Sequence, residues 1–476
     1  MMLIASLLPL LGGAILPFLK FRSRRARTAC VVGITALTSL LALRLVATGA
    51  ADVTPVTLSA EFRLTFGLDG MGKVFLGLMA FLWPLAALYG SEYMEHEERE
   101  DSFFAFYTMT YGVMVLFCCA RNIFTLYVLY ECITMVTLPL VWHKKDMASV
   151  RAARAYIRYS IGSAAFAFAA MIVLSVYGSG DFTLGGIALN GMPARVRDIA
   201  FLAAFFGFGV KAAVFPLWAW LPRASAAPTP VTALLHAVAV VNAGVFSVMR
   251  MIYYVFGPDG LAGTWAQAIA LAASVATIVL GAVLAVRDTH VKRKLAYSTV
   301  SNLGYMLLGA SLISRAGLQG ALLHMVCHGL MKMGLFFCIG AVMVKAGCAQ
   351  VWEMRGLARR MPATFGFFVF GAVALMGIPP LCGFVSKFYL AGAVLEMGGA
   401  WGWIGVGALM LSTVLTAVYQ LSVLLPAFFL PPEGEAGRCD PSWRMLVPLA
   451  VLAAAVLLAG VRPQPLVDAL RAVAGM

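Results

Sequence analysis

Phe205-Phe206-Gly207-Phe208-Gly209-Val210-Lys211-Ala212-Ala213-Val214-Phe215-Pro216-Leu217-Trp218 is an apolar run with one charge at its middle and a proline five residues later. A charge at mid-membrane costs roughly 2.5–3.5 kcal/mol on insertion scales, so an ionisable residue inside a span is functional by default. Proline removes a backbone donor and breaks the helical ladder, and discontinuous helices mark transport sites in membranes. Ile378-Pro379-Pro380-Leu381-Cys382-Gly383-Phe384-Val385-Ser386-Lys387 repeats the idea: a broken span with a lysine. Two such spans in one apolar chain read as a machine that moves charge across a membrane.

The rest of the chain agrees. Of its 476 residues, 62% are hydrophobic and only 12% charged, which places it among polytopic membrane proteins. Spans of about 20 residues leave room for about 14 helices. They are expected near 2–20, 28–48, 70–91, 104–120, 122–142, 155–177, 198–217, 229–256, 264–286, 295–314, 316–345, 364–396, 402–430 and 443–461. The fold class is therefore all-α and polytopic, and no soluble stretch is long enough for a separate catalytic domain. Leu58 to Phe66 alternates and suggests a short strand outside the membrane.

The net charge of +14 would suggest nucleic acid in a soluble protein. Here the cations gather in short loops, so no nucleic-acid partner is expected. The clusters are Lys20, Arg22, Arg24, Arg25 and Arg27; Lys144, Lys145, Arg151, Arg154 and Arg158; Arg287, Lys292, Arg293 and Lys294; and Lys345, Arg355, Arg359 and Arg360. With the helices above, all four fall on one side. The positive-inside rule then puts that side in the cytoplasm and both termini outside it, in a multi-pass protein of the inner (cytoplasmic) membrane. The basic cluster follows the first apolar run, so Met1 to Leu19 reads as a retained helix and not as a cleaved signal peptide. Glu95, Glu97, Glu98 and Glu100 lie on the cytoplasmic side and read as a solvated loop, with docking of a basic partner as the alternative. Nine cysteines without a C-x-x-C pair read as buried, inert thiols, with no metal or iron–sulfur site in this chain.

The broken spans are the seventh and the twelfth, five apart. This suggests two five-helix units, helices 4–8 and 9–13, inverted because five is odd. The units are an N-terminal group (1–103), a first repeat (104–256), a second repeat (264–430) and a last helix with a short tail (443–476).

Seven ionisable residues inside the spans carry the expected chemistry: Glu131, Lys211, His236, His324, His328, Lys332 and Lys387. His324, His328 and Lys332 are spaced by four, so they form one helical stripe with about 6 Å of rise between members, a gap that one or two waters bridge. A metal site at the two histidines is disfavoured because no further ligand lies near in sequence and Lys332 repels a cation. Histidine titrates near neutrality, and a buried lysine shifts toward it, so both suit proton transfer. Glu131 and Lys211 form the candidate carboxylate–lysine pair that trades a proton as it opens. The bland alternatives are a static counter-ion for Glu131, a core histidine for His236 and a snorkelling lysine for Lys387. Lys294 reads as a leaflet anchor, and Thr134, Asn242, Ser298, Thr299, Ser301 and Asn302 help to wet the route.

Taken together these residues resemble the antiporter-like subunits shared by respiratory complex I, Mrp-type cation/proton antiporters and membrane-bound energy-converting hydrogenases. Four segments carry the resemblance: Lys211 to Pro222, Pro228 to His236, Lys294 to Tyr305, and His324 to Lys332 with Gly383 to Lys387. It covers roughly residues 60 to 430. It implies a fourteen-helix subunit of two inverted units that moves protons, with coupling to Na+ in some members. Glu131 and Lys211 match the family's glutamate–lysine pair, Lys332 and its histidines the central relay, and Lys387 the terminal residue. Tyr130 stands where the family usually has tryptophan or phenylalanine, and Asn242 where some members carry a lysine. The implied partners are other membrane subunits and hydrophilic redox subunits, which would hold any iron–sulfur or flavin cofactor. A redox-driven pump is the leading reading. An Mrp-type sodium/proton antiporter subunit is the alternative, and a stand-alone secondary transporter or a quinone-site subunit ranks below both.

Overall fold

The computed structural model describes residues 1–59, 61–431 and 437–475. Ala60, within the expected strand, and Met476, at the end of the tail, lie outside the described residues.

Long apolar runs force the backbone to satisfy its own hydrogen bonds, so the chain is helical almost throughout. Among the described residues, ten helices are long and apolar enough to cross a membrane. The four other expected spans fail that test for visible reasons. Met2–Ile15 is short. Ala194–Gly209 and Pro362–Met376 stop at the breaks. Val291–Ser311 opens on Lys292, Arg293 and Lys294 and carries several hydroxyl and amide side chains. Of the expected strand Leu58 to Phe66 only the part from Arg63 is extended: an antiparallel hairpin pairs Ala50–Thr57 with Arg63–Leu68, in register Val56↔Leu64 and Thr57↔Arg63, and Leu58 and Ser59 lie in the bend between them.

Both expected breaks are present. Ala194–Gly209 ends before Lys211, and a short helix, Trp220–Ala224, comes after it. Pro362–Met376 ends at Gly377, whose φ of +87° suits glycine, and Cys382–Met397 resumes beyond it. A third interruption carries no proline signal in the sequence. The expected 229–256 helix divides into Thr229–Ala237, Val240–Arg250 and a π-helical Met251–Phe256. Asn242 covers the gap by donating Nδ2 to the Ala237 carbonyl at 2.9 Å. The tail also folds, as Gln464–Val473, and buries Val467 and Leu470.

The segments Thr229–Phe256 and Arg315–Ala346 are the most deeply buried and form the centre of the molecule. Tyr89 of Gly70–Tyr93 stacks on Phe337 with centroids 3.9 Å apart and donates its hydroxyl to the Phe337 carbonyl at 2.8 Å. Polar groups in this core are therefore held by packed neighbours on every side.

The acidic segment is not a free loop. Glu92 is almost wholly buried, pairs with Lys345 at 3.0 Å and accepts from the Ser442 backbone at 3.0 Å. Glu95 pairs with Arg444 at 2.7 Å, Glu97 with Lys144 at 2.7 Å, and Glu100 with Arg24 at 3.2 Å and with Arg27. One acidic strip thus gathers three basic clusters. Arg293 of the fourth lines the same cavity as Lys144, so all four clusters share one end of the bundle, as expected. Lys144 lies between helices; burial lowers its pKa, but Glu97 outweighs this and holds it above the ordinary lysine value.

A second charge cluster lies beside the hairpin. Arg250 is fully buried, grips both oxygens of Asp69 and sits 4.5 Å from the Tyr254 ring. Arg121 adds a bond to Asp69 at 3.2 Å. Burial raises the Asp69 pKa, but Arg250, the Gly72 amide and Arg121 outweigh it and hold the carboxyl below its ordinary value.

Candidate functional site: a line of buried ionisable groups

Each break leaves helix-end carbonyls without partners, and at each a lysine or an aromatic polar group answers them. At the first break, Tyr130 donates its hydroxyl to the Phe208 carbonyl at 2.8 Å, and Trp220 donates Nε1 to the Val210 carbonyl at 2.7 Å. Lys211 is fully buried. Its ammonium donates to the Tyr130 carbonyl and lies 3.5 Å from the centroid of the Tyr130 ring, a cation–π contact. The adjacent Glu131 has a buried Oε1 with no hydrogen-bond partner, and no ion pair within 4.0 Å joins it to Lys211. The two expected partners are thus neighbours held apart, with the lysine parked on Tyr130.

Packing fixes this break tightly. Val240–Arg250 passes so close that a Cβ on Gly244 would lie 2.3 Å from the Ala212 nitrogen. Phe215 donates its amide to Thr277 Oγ1 at 2.8 Å, which ties the break to Trp265–Arg287 in the second half of the chain.

His236 is fully buried. Its Nε2 lies 3.5 Å from Ser225 Oγ, and its Nδ1 has no partner among the described residues. Its ring faces Phe336 at 5.0 Å.

His324, His328 and Lys332 share the unbroken helix Arg315–Ala346, as the spacing requires, and all three are fully buried. They are not three equal steps. Lys332 turns to Val291–Ser311, donating to the Leu295 carbonyl at 3.1 Å and to Ser298 Oγ. Asn302 donates Nδ2 to the Ser298 carbonyl at 2.7 Å, so its Oδ1 is the acceptor for His324 Nε2 at 3.1 Å. The other imidazole nitrogen, Nδ1, meets Ser386 Oγ at 3.1 Å, on the helix after the second break. Two protein-only segments therefore meet at Ser298: Lys332 holds its hydroxyl, and from its carbonyl Asn302 reaches His324 and Ser386. His328 stands outside them: among the described residues neither ring nitrogen has a partner, although its ring lies 6.2 Å from that of His324.

This network assigns a proton to His324 Nε2. Protonated on both nitrogens, the ring donates to Ser386, whose hydroxyl is then free to donate to the Gly383 carbonyl at 3.2 Å. Neutral, the ring needs the Ser386 proton for itself. The charge on His324 thus sets where the Ser386 hydroxyl points.

Lys387, unlike Lys211, answers the carbonyls of its own break. It donates to the Leu375 carbonyl at 2.8 Å and the Met376 carbonyl at 3.1 Å, the exposed end of Pro362–Met376, and to Thr413 Oγ1 at 3.3 Å. It is tied inward to helix ends and does not snorkel.

The structure adds a residue that sequence alone places among the surface cations. Lys292 is buried and donates to the Ala227 carbonyl at 2.5 Å, beside the start of Thr229–Ala237. Its register could have shown this, because 292, 295, 299 and 302 fall on one helical face and Asn302 of that face bonds His324. Lys294 is buried as well and donates to the Ala285 carbonyl at 2.9 Å, capping Trp265–Arg287. Neither is a plain leaflet anchor. The nine cysteines are free thiols, and among the described residues no cluster of three His, Cys, Asp or Glu could hold a metal ion.

Residues 120–416 match the family described as NADH:quinone oxidoreductase/Mrp antiporter, TM. The chain is 32% identical over 413 residues to NADH-quinone oxidoreductase subunit N of Desulforudis audaxviator, covering 83% of this chain and 81% of that one. It is 34% identical over 378 residues to NADH-quinone oxidoreductase subunit L of Mycobacterium tuberculosis, covering 77% of this chain but 58% of that longer relative. In fold it superposes on a chain of the archaeal membrane-bound sulfane sulfur reductase, a respiratory membrane complex, with a TM-score of 0.87 at 24% identity, covering 99% of this chain and 96% of that one.

Proposed function

The chain belongs to the NADH:quinone oxidoreductase/Mrp antiporter membrane family, and from that premise we propose that it translocates protons as an antiporter-like subunit of a larger membrane complex. The observation that carries the reading is the line of buried ionisable groups from the first break to the second. An isolated membrane-embedded charge is costly, and this line keeps several in partly satisfied sites, a pattern that suits transfer better than static packing.

In this reading the chain has fourteen spans. Helices 4–8 and 9–13 form two inverted units, each broken in its fourth helix, and the order of observed helices and breaks supports that pairing. Lys211 moves between Tyr130 and Glu131. Closing the Glu131–Lys211 pair stabilises the charged lysine, and opening it releases a proton toward His236. Lys332 and the Ser298 hydroxyl then pass the proton through water to His324, which Asn302 orients; His324 exchanges it with Ser386, and Lys387 hands it on at the second break. Gaps longer than a hydrogen bond need water, and His328, with both nitrogens free of protein partners, lies where such a route would pass. Lys292 is the added candidate on the basic side.

Moving one charge against 100 mV costs about 2.3 kcal/mol, so the work must come from elsewhere. The leading assignment is a redox-driven complex, with iron–sulfur or flavin groups in hydrophilic partner subunits. The subunit N relative, matched over most of both chains, supports it. The family description also names Mrp antiporters, so a cation gradient, Na+ among the candidates, is the second reading. The basic end faces the cytoplasm, and both termini face outward across the inner membrane. Native purification in mild detergent, with subunit identification and absorbance or paramagnetic spectra, tests the assignment. Iron–sulfur signals with hydrophilic subunits support the redox-driven complex. Small hydrophobic partners, no cofactor and sodium-dependent proton flux select the antiporter. Recovery as a lone chain that transports a small solute would overturn both.

A further inference from the structure

One large cavity lies to the side of the buried ionisable groups. It measures about 780 Å³, opens at the basic end of the bundle, and lies between the start of Met147–Tyr177, the first break and the start of Val291–Ser311. Six of its lining residues are Lys144, Arg151, Arg154, Arg158, Arg223 and Arg293; Asp146 is its one acid. Most of the local acids are already committed. Glu97 holds Lys144 at 2.7 Å, Asp288 holds Arg293 at 3.1 Å, and Asp146 caps its own helix through the Ser149 amide at 2.7 Å. That leaves Arg151, Arg154, Arg158 and Arg223 exposed around the opening. None has an acidic partner among the described residues.

Arg151 and Arg158 donate only Nε to their own helix, at the Met147 and Arg154 carbonyls, which leaves their terminal nitrogens for a ligand. Four guanidinium groups without acidic partners around one concavity are a recurring solution for binding phosphate, because the planar fork matches two phosphate oxygens at once. The amino end of the long helix adds its own partial positive charge at the same place. Beyond these cations the same helix turns apolar. Arg151, Arg154 and Arg158 continue in the same register as Ile161, Ala165, Phe168, Ile172 and Val176, all exposed. A single outward face is thus cationic for its first three turns and apolar for the rest. Trp218 and Tyr297 also line the cavity, ring types that favour the membrane–water interface.

We propose that this cavity is a phosphate-recognition site whose ligand is the headgroup of an anionic phospholipid, with its acyl chains lying along the Ile161–Val176 face. Basic pockets between membrane helices favour such headgroups. The apolar continuation of the stripe distinguishes a lipid from a free anion, which has no use for it. The wall formed by the first break includes Ser225, the hydroxyl nearest His236, so the bound headgroup would sit against the start of the transfer line.

The test uses the full chain with the subunits that accompany it, stripped of lipid in mild detergent. Short-chain phosphatidylglycerol, short-chain phosphatidylcholine and inorganic phosphate are titrated separately, with binding read by native mass spectrometry and by the unfolding midpoint. Phosphatidylglycerol is expected to bind and raise the midpoint, with phosphatidylcholine and inorganic phosphate each at least tenfold weaker. The triple variant Arg151→Gln, Arg154→Gln, Arg158→Gln should lose at least tenfold in affinity. Removing three exposed cations elsewhere, by Lys20→Gln, Arg22→Gln and Arg25→Gln, should leave it unchanged. If the first triple fails to fold, Arg154→Gln and Arg223→Gln singly must each weaken binding. Equal binding of phosphatidylcholine, inorganic phosphate as tight as the lipid, or equal losses in both triples would overturn the proposal.

Discussion

Gly244→Ala adds one methyl group where two backbones touch. The new Cβ would lie 2.3 Å from the Ala212 nitrogen, 2.8 Å from the Lys211 carbonyl carbon and 3.0 Å from Lys211 Cβ. Carbon contacts relax at about 3.5–4.0 Å, so the break must retreat by about 1 Å. The backbone there has little slack, since Ala213 already holds a φ of +52°. Overpacking of this kind costs about 1–3 kcal/mol. The functional cost should be larger, because a misplacement of about 1 Å in a positioned group can reduce a rate by about 100-fold, and Lys211 depends on a 3.5 Å contact with Tyr130. The assay is proton flux in vesicles carrying the assembled complex, beside the unfolding midpoint in detergent. Gly244→Ala should lower flux at least tenfold with a modest loss of stability. Gly366→Ala, where the added Cβ meets nothing within 4 Å, should leave flux unchanged. Wild-type flux and midpoint in Gly244→Ala would refute the claim that this contact sets the position of Lys211.

Asp69→Asn should destabilise the fold by about 3–5 kcal/mol, since it strands the buried Arg250 charge; chemical unfolding of the purified complex reads this directly. The Asp69 pKa is depressed in the folded state, so its contribution is full above the unfolded value of about 4 and lost as pH falls through the folded one. Wild-type stability should therefore drop in acid by a component that Asp69→Asn lacks. Asn302→Leu removes the acceptor that orients His324 Nε2 and should lower proton flux at least tenfold in complexes that still assemble. Thr277→Val removes the acceptor for the Phe215 amide and should cost about 1–3 kcal/mol in the unfolding midpoint.

The broken spans are legible because proline and a buried lysine are rare inside apolar runs, so Lys211 and Lys387 can be placed at helix breaks from sequence alone. The four-residue spacing of His324, His328 and Lys332 likewise puts them on one helix. What they bond to is not legible. Lys332 reaches Ser298, and His324 reaches Asn302 and Ser386, through packing of helices distant in sequence, which no local pattern encodes. The Val238–Ala239 interruption leaves almost no trace because its residues are ordinary helix formers and the cue is a lone Asn242 reaching back to Ala237. Glu92 and its neighbours read as solvent-facing because acidic runs usually are; their partners Lys345 and Arg444 come from far along the chain. Lys292 is hidden by Arg293 and Lys294, since three adjacent cations resemble a membrane-surface anchor until their separate helical directions are considered.

The most direct test of the central claim is proton translocation by the assembled complex carrying Lys211→Ala, with subunit content checked by native gel. The account predicts normal assembly and less than one tenth of wild-type proton flux. Normal assembly with wild-type flux would contradict it, because the line of buried groups would then be carrying no protons through its first member.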